Sequence, residues 1–250
     1  MFSTNVPSHL LPLTHFILFI RVRTRAVSQN IPIVAINFLT HTISRRTLIF
    51  TTCCLAVALL ILPACSKTPQ LPPLAAEGII LAFGDSLTAG TGAGETESYP
   101  AVLAQQIGRR VINAGAPGEV SASGALRLPE LLDRERPALL ILCHGGNDLL
   151  GRQDQRQLAD NLRSMIRAAR ERGVSVLLVA VPAPDLSLKP PRLYRDLAGE
   201  FALPLEGTSL TRIMGKSSLK SDHVHPNAAG YRMLAEALAE LLKKSGVIPH

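Results

Sequence analysis

Tryptophan is absent from the 250 residues, and aromatic side chains make up only 4% of them. Base-stacking platforms and sugar-binding clefts both need exposed rings, so neither is expected here. Acidic residues are missing from the first 64 positions, which carry five arginines (Arg21, Arg23, Arg25, Arg45 and Arg46). The formal charge of +7 is therefore concentrated at the N-terminus, and the remaining 186 residues hold 21 basic against 19 acidic side chains. A body so close to neutral offers no field for a polyanion, and no nucleic-acid partner is expected. No His/Cys/Asp cluster has metal-ligand spacing, so neither a metal nor another cofactor is expected. No repeat of solenoid period occurs.

Cysteine is scarce where it would matter. Four are present, but Cys53 and Cys54 fall in an apolar run and Cys65 ends it, which leaves Cys143 alone as a buried free thiol rather than two disulfides. The run itself lies between Arg46 and Lys67, twenty uncharged residues with Leu62-Pro63-Ala64-Cys65 just before the last, Ser66. Its length suits a membrane span, and its basic start suits a secretory signal. The ending resembles the bacterial lipobox, in which small residues precede a cysteine that is lipidated and becomes the new N-terminus. That resemblance implies a signal segment over 44–64, lipidation at Cys65, a Pro-rich tether over 65–77, and an exported protein anchored by lipid to the cell envelope and facing the periplasm. Residues 1–43 are read as an upstream extension or a gene-model artefact, with translation expected to start near 39–44.

What remains, 78–250, is long enough for one domain with a proper core. Short apolar runs alternate with amphipathic stretches. Strands are expected at 78–83, 110–113, 138–143, 174–181 and 203–206, and helices at 99–107, 120–136, 154–172, 192–201 and 227–244. In the third helix Leu158, Leu162, Met165, Ile166 and Ala169 recur at helical spacing, behind an Asp154/Gln157 capping box. Leu126, Leu128, Leu131 and Leu132 are the apolar residues of the second. Strands separated by helices give βαβ units and a parallel sheet, and strands without polar alternation are covered on both faces. The expected fold is a three-layer α/β sandwich with a five-stranded parallel sheet. Ligands of such folds bind beyond the carboxyl ends of the strands.

Four polar segments fall at those ends: Gly84-Asp85-Ser86-Leu87, Asn113-Ala114-Gly115, Gly145-Gly146-Asn147-Asp148, and Asp222-His223-Val224-His225-Pro226-Asn227. Each alone is ordinary turn chemistry. Together, in this order, they resemble the SGNH hydrolases, the GDSL esterase/lipase family, and most closely its bacterial acyl-CoA thioesterase/lysophospholipase and arylesterase members. The resemblance covers roughly residues 79–242. It implies a flavodoxin-like fold, Ser86 as nucleophile, Asp222 and His225 as the rest of a triad, and Ser86, Gly115 and Asn147 as oxyanion donors. Two features depart from the family's pattern. His144 stands where relatives often carry an apolar residue, and Asp-His-Val-His offers two candidate bases, His223 and His225.

The chemistry of these residue types supports the same roles. A serine hydroxyl needs a base to take its proton, an imidazole base needs a carboxylate to orient it, and a tetrahedral oxyanion needs prearranged donors. Asp85 and Asp148 are read as structural, bonding loop N–H groups, and His144 as a packed, hydrogen-bonded side chain. Gly215-Lys216-Ser217 is not a phosphate loop, because Leu210 stands where its first glycine belongs. The expected function is a serine ester hydrolase acting through an acyl-enzyme on acyl or small aryl esters, with a small-molecule ester as its partner and a membrane reached through the anchor. A carbohydrate O-deacetylase is the alternative within enzymes. A non-catalytic envelope lipoprotein on a hydrolase scaffold is the alternative outside them.

Overall fold

The computed structural model describes residues 68–249. Cys65, the signal segment and residues 1–43 lie outside that range. Five parallel strands form the sheet among the described residues: β1 (Ile80–Gly84), β2 (Val111–Gly115), β3 (Leu139–Cys143), β4 (Ser175–Val179) and β5 (Leu205–Glu206), in spatial order β2-β1-β3-β4-β5. Every residue of β1 and β3 is buried, as expected of central parallel strands covered on both faces. The helices are α1 (Ser86–Ala89), α2 (Tyr99–Ile107), α3 (Ser121–Glu135), α4 (Gly146–Leu150), α5 (Gln155–Glu171), α6 (Leu193–Glu200), α7 (Ser209–Met214) and α8 (Ala228–Lys244). Helix α2 packs against α8, and α3 against α5 with α6 beside it. These two helical layers enclose the sheet in the expected three-layer, flavodoxin-like arrangement.

The strand order carries the consequence for function. The chain leaves β1 for β2 on one side and later returns to β3 on the other. The two connections diverge at the carboxyl ends of β1 and β3, and a crevice opens there. Registry makes those ends level, with Gly84 opposite Gly115 on one side and Cys143 on the other.

Several details differ from the sequence reading. Leu126 is 84% exposed, because the buried face of α3 is Ser121, Gly124, Leu128, Leu131 and Leu132, and Leu126 points away from it. Asp154 caps α5 by accepting from the Arg156 N–H, but Gln157 turns to Asn161 instead of closing a capping box. Helix α7 was not expected. The buried Glu206 carboxylate starts it by accepting the N–H groups of Thr208 and Ser209, a cap supplied by a strand residue outside the usual capping types. The tether is shorter than expected. Leu71 N–H donates to the Ser245 carbonyl at 2.9 Å and Leu74 N–H to that of Val247 at 2.8 Å. Residues 71–74 therefore belong to the folded body. Cys143 is a free, buried thiol, and burial pushes its ionisation well up.

Candidate active site

Gly84 ends β1, and the chain turns at once into the short helix α1 with Ser86 as its first residue. Asp85 makes the turn. Its buried carboxylate accepts the Leu87 N–H at 3.1 Å, capping α1, and the Gly146 N–H, also at 3.1 Å. One side chain thereby ties the loop after β1 to the loop after β3. Burial raises the Asp85 carboxyl above its ordinary value despite these bonds. Tyr231 of α8 holds the far end of α1 by donating to the Thr91 carbonyl at 2.8 Å.

Asp222 and His225 reach Ser86 from the turn ahead of α8. That turn is pinned at both ends: Asn227 caps α8 by accepting the Gly230 N–H at 3.1 Å, and Ser221 N–H donates to the His225 carbonyl at 3.0 Å. Inside it, Asp222 Oδ1 accepts the backbone N–H groups of Val224 and His225, each at 2.8 Å. Its Oδ2 lies 2.7 Å from His225 Nδ1. Burial raises the Asp222 carboxyl, but His225 and the two backbone donors outweigh it and hold it down at about 2. A carboxylate there fixes the proton on Nδ1, leaving Nε2 as an acceptor. Nε2 lies 2.9 Å from Ser86 Oγ. Of the two histidines, His225 therefore bridges serine and carboxylate, whereas His223 lines the cleft beside them.

The three expected oxyanion donors fare differently. Ser86 N–H heads α1, where the first N–H groups have no helical acceptor. Asn147 lies in α4, and its Nδ2 donates to the Glu119 carbonyl at 2.9 Å. The amide's second hydrogen is left for another acceptor. Gly115 does not fit the role. Its N–H already donates to Asn113 Oδ1 at 3.0 Å, and a Cβ there would meet Ala89 N at 2.0 Å. Gly115 lacks a side chain so that β2 can pass α1 closely. Gly118 lies three residues on. It has φ +79, its N–H finds no acceptor among the described residues, and it precedes the Glu119 that holds Asn147. The sequence signal for it was available: a glycine after Pro117 in a turn, where a positive φ is needed. Asp148 is structural, accepting from Ser121 N–H at 2.8 Å and Ser121 Oγ at 2.5 Å.

Ser86 and His225 open onto a cleft of about 600 Å³. Its walls are mostly aliphatic, with Leu87, Leu150, Val181, Leu188 and Met214 among them, and no aromatic ring other than imidazole contributes. Among the described residues no group of three or more His, Cys, Asp or Glu side chains could hold a metal ion.

A serine hydroxyl bonded to an imidazole, a carboxylate behind the imidazole, and free N–H groups beside the hydroxyl are the parts of nucleophilic acyl transfer. The GDSL-like lipase/acylhydrolase family matches this chain over residues 82–233. Esterase TesA of Pseudomonas aeruginosa is 33% identical over 196 aligned positions, covering 74% of this chain and 97% of that protein. The thioesterase 1/protease 1/lysophospholipase L1 of Escherichia coli is 29% identical over 177 residues, 68% of this chain and 85% of that one. A crystal structure of TesA superimposes with a TM-score of 0.61 at 32% identity, covering 66% of this chain and 98% of its own.

Proposed function

The chain belongs to the GDSL-like lipase/acylhydrolase family and is a serine ester hydrolase, and from that premise we propose which residues act, on what, and where. Ser86 is the nucleophile, His225 the base and Asp222 its orienting carboxylate. The observation that carries this reading is the unbroken line from Asp222 Oδ2 through His225 to Ser86 Oγ, with contacts of 2.7 and 2.9 Å, at the mouth of an apolar cleft.

His225 Nε2 takes the Ser86 proton as Oγ attacks the ester carbonyl carbon. The carbonyl oxygen becomes an oxyanion facing Ser86 N–H, Gly118 N–H and Asn147 Nδ2. As the tetrahedral adduct collapses, the imidazolium returns its proton to the departing alcohol or thiol and an acyl-Ser86 ester remains. Water then attacks that ester, giving its proton to His225, and the second collapse releases the carboxylic acid and restores the serine. Asp222 stabilises the imidazolium in both halves.

The substrate is an ester of an aliphatic acyl chain or a small aryl ester. Aliphatic walls and the lack of stacking rings favour these over sugar polymers, and relatives named esterase, thioesterase and lysophospholipase point the same way. A panel of p-nitrophenyl esters of graded chain length, acyl-CoA, lysophospholipid and acetylated sugars tests the proposal. Turnover confined to acetylated sugars would overturn it.

We also propose that the protein is held at the envelope by lipid on Cys65, facing the periplasm. The support is the Leu62-Pro63-Ala64-Cys65 ending of the apolar run. Lipid anchoring requires that Cys65→Ser leave the precursor unprocessed or mislocalised. Unmodified wild-type protein in the soluble fraction would contradict it.

A further inference from the structure

The loops that follow β2 and β3 meet through a buried histidine that the acyl-transfer steps do not use. His144 comes directly after β3 and is wholly inaccessible to solvent. Gly145 N–H donates to its Nδ1 at 2.9 Å, so Nδ1 holds a lone pair and the ring proton is on Nε2. That N–H donates to Glu119 Oε2 at 3.1 Å. Arg127 grips the same carboxylate from the other side, with Nε on Oε1 and Nη2 on Oε2, both at 2.7 Å. Burial raises the Glu119 carboxyl, but Arg127 and His144 outweigh it and keep it below the usual carboxylate range. Arg127 is itself fixed, donating to the Ala114 carbonyl at 3.2 Å and lying over the Phe83 ring at 4.2 Å.

Glu119 is the point where this network touches the chemistry. Its side chain is clamped by His144 and Arg127. Its carbonyl accepts the Asn147 amide at 2.9 Å, and its backbone continues directly from Gly118. Both donors that reach the oxyanion from outside α1 are therefore set by the position of one residue. The fold also gives something up to admit the ring. Gly124 lies inside α3, where glycine weakens a helix, and a Cβ there would be 2.4 Å from His144 Nε2. An aliphatic residue at 144 would fill a core equally well without asking this of α3.

We propose that His144 is a positioning residue for the oxyanion donors: in its neutral form with the proton on Nε2, it clamps the Gly118–Glu119 segment to the Gly145–Asn147 segment, so that Gly118 N–H and Asn147 Nδ2 face the carbonyl oxygen of an ester bound at Ser86. The proposal rests on the assignment of those donors above. His144 touches no substrate. Its loss acts on the transition state, where charge develops on the oxygen, and leaves ester binding in the cleft nearly as it was.

Three substitutions separate this from a packing role. His144→Leu removes both ring bonds. His144→Asn keeps an acceptor for Gly145 N–H but has no donor that reaches Glu119. His144→Gln places an amide donor at the depth of Nε2. With full-length protein and a p-nitrophenyl ester, His144→Leu and His144→Asn are expected to lower kcat about 10–100-fold with KM changed less than about threefold, a fraction of the roughly 10²–10³ lost with a whole donor. The rate of inactivation by a phosphonate ester, which traps the same tetrahedral geometry, should fall in parallel. His144→Gln should recover most of both. A His144→Gln no better than His144→Asn, or a change confined to KM, would overturn the proposal. If His144→Leu fails to fold, the Asn and Gln pair still decides. Ser86→Ala is run alongside. Its survival as an active enzyme would sink the underlying assignment, whereas a dead Ser86→Ala beside fully active His144 variants would sink only the inference about His144.

Discussion

Asp222 holds its turn through three contacts, two of them with His225: the Val224 and His225 backbone N–H groups rest on Oδ1 and the His225 ring rests on Oδ2. The carboxyl is held at about 2, below the ~3.9 of an unfolded aspartate. A depressed carboxyl favours the folded state at neutral pH and loses that contribution progressively as pH falls from the ordinary value of ~3.9 through about 2. The Asp222 side-chain ¹³C resonance should therefore stay at its carboxylate position down to pH ~3, and a midpoint at or above ~3.9 would contradict the hydrogen bonding described. The serine and its base give sharper tests. Ser86→Ala should abolish turnover and leave the melting temperature almost unchanged, because the hydroxyl does chemistry and little packing. His225→Ala should lose several orders of magnitude in kcat, while His223→Ala loses less than about tenfold. The reverse order of damage would place the base on the wrong residue. Asn147→Ala should lower kcat by about 10²–10³ with a smaller change in KM, and steady-state kinetics on one ester suffices to see it.

Elements set where those side chains sit, and α3 offers the clearest test. Gly124→Ala would ordinarily strengthen a helix interior by up to about 1 kcal/mol. Here the added methyl meets His144 Nε2, so thermal denaturation should show a net loss of about 1–3 kcal/mol, the scale of an overpacked core. A stabilised variant would mean the ring has room to move. The same contrast explains what the sequence disclosed. The central strands and the long helices announced themselves through unbroken apolar runs and helical spacing, as with Leu158, Leu162, Met165, Ile166 and Ala169 in α5. Ser86, Asn147, Asp222 and His225 were legible because each lies in a compact polar motif, after β1, after β3 or just ahead of the closing helix. Gly115 was mistaken for a donor because a glycine needed for close passage and one needed for a free N–H look alike in one dimension. Helix α7 was missed because its cap, Glu206, is a buried strand residue. Leu126 misled because an exposed leucine reads as core.

At the scale of the whole molecule, the site is assembled from opposite ends of the fold. Ser86 comes from the first βα connection and His225 from the turn before the last helix, 139 residues later. Asp85 and His144 are the buried cross-links that hold the intervening loops level. Helix α8 therefore matters to catalysis as well as to stability. Asn227→Ala removes its cap and the Asn227 Nδ2 bonds to the Ser218 and Lys220 carbonyls. It should cost about 1–2 kcal/mol of stability and also slow turnover, because the turn carrying Asp222 and His225 is slackened. Denaturant unfolding and kinetics on the same sample would show whether the two losses travel together.

The segment bonded to the C-terminal turn, Leu71 to Ser245 and Leu74 to Val247, also fixes where the chain enters the folded body. It feeds β1 at Ile80, the amino end of the sheet, whereas Ser86 stands past the carboxyl end, about 17 Å away along a five-residue strand. The cleft therefore opens at the end of the sheet opposite the point of chain entry, so a tether joined ahead of Leu71 would hold the folded body from behind and leave the mouth of the cleft clear.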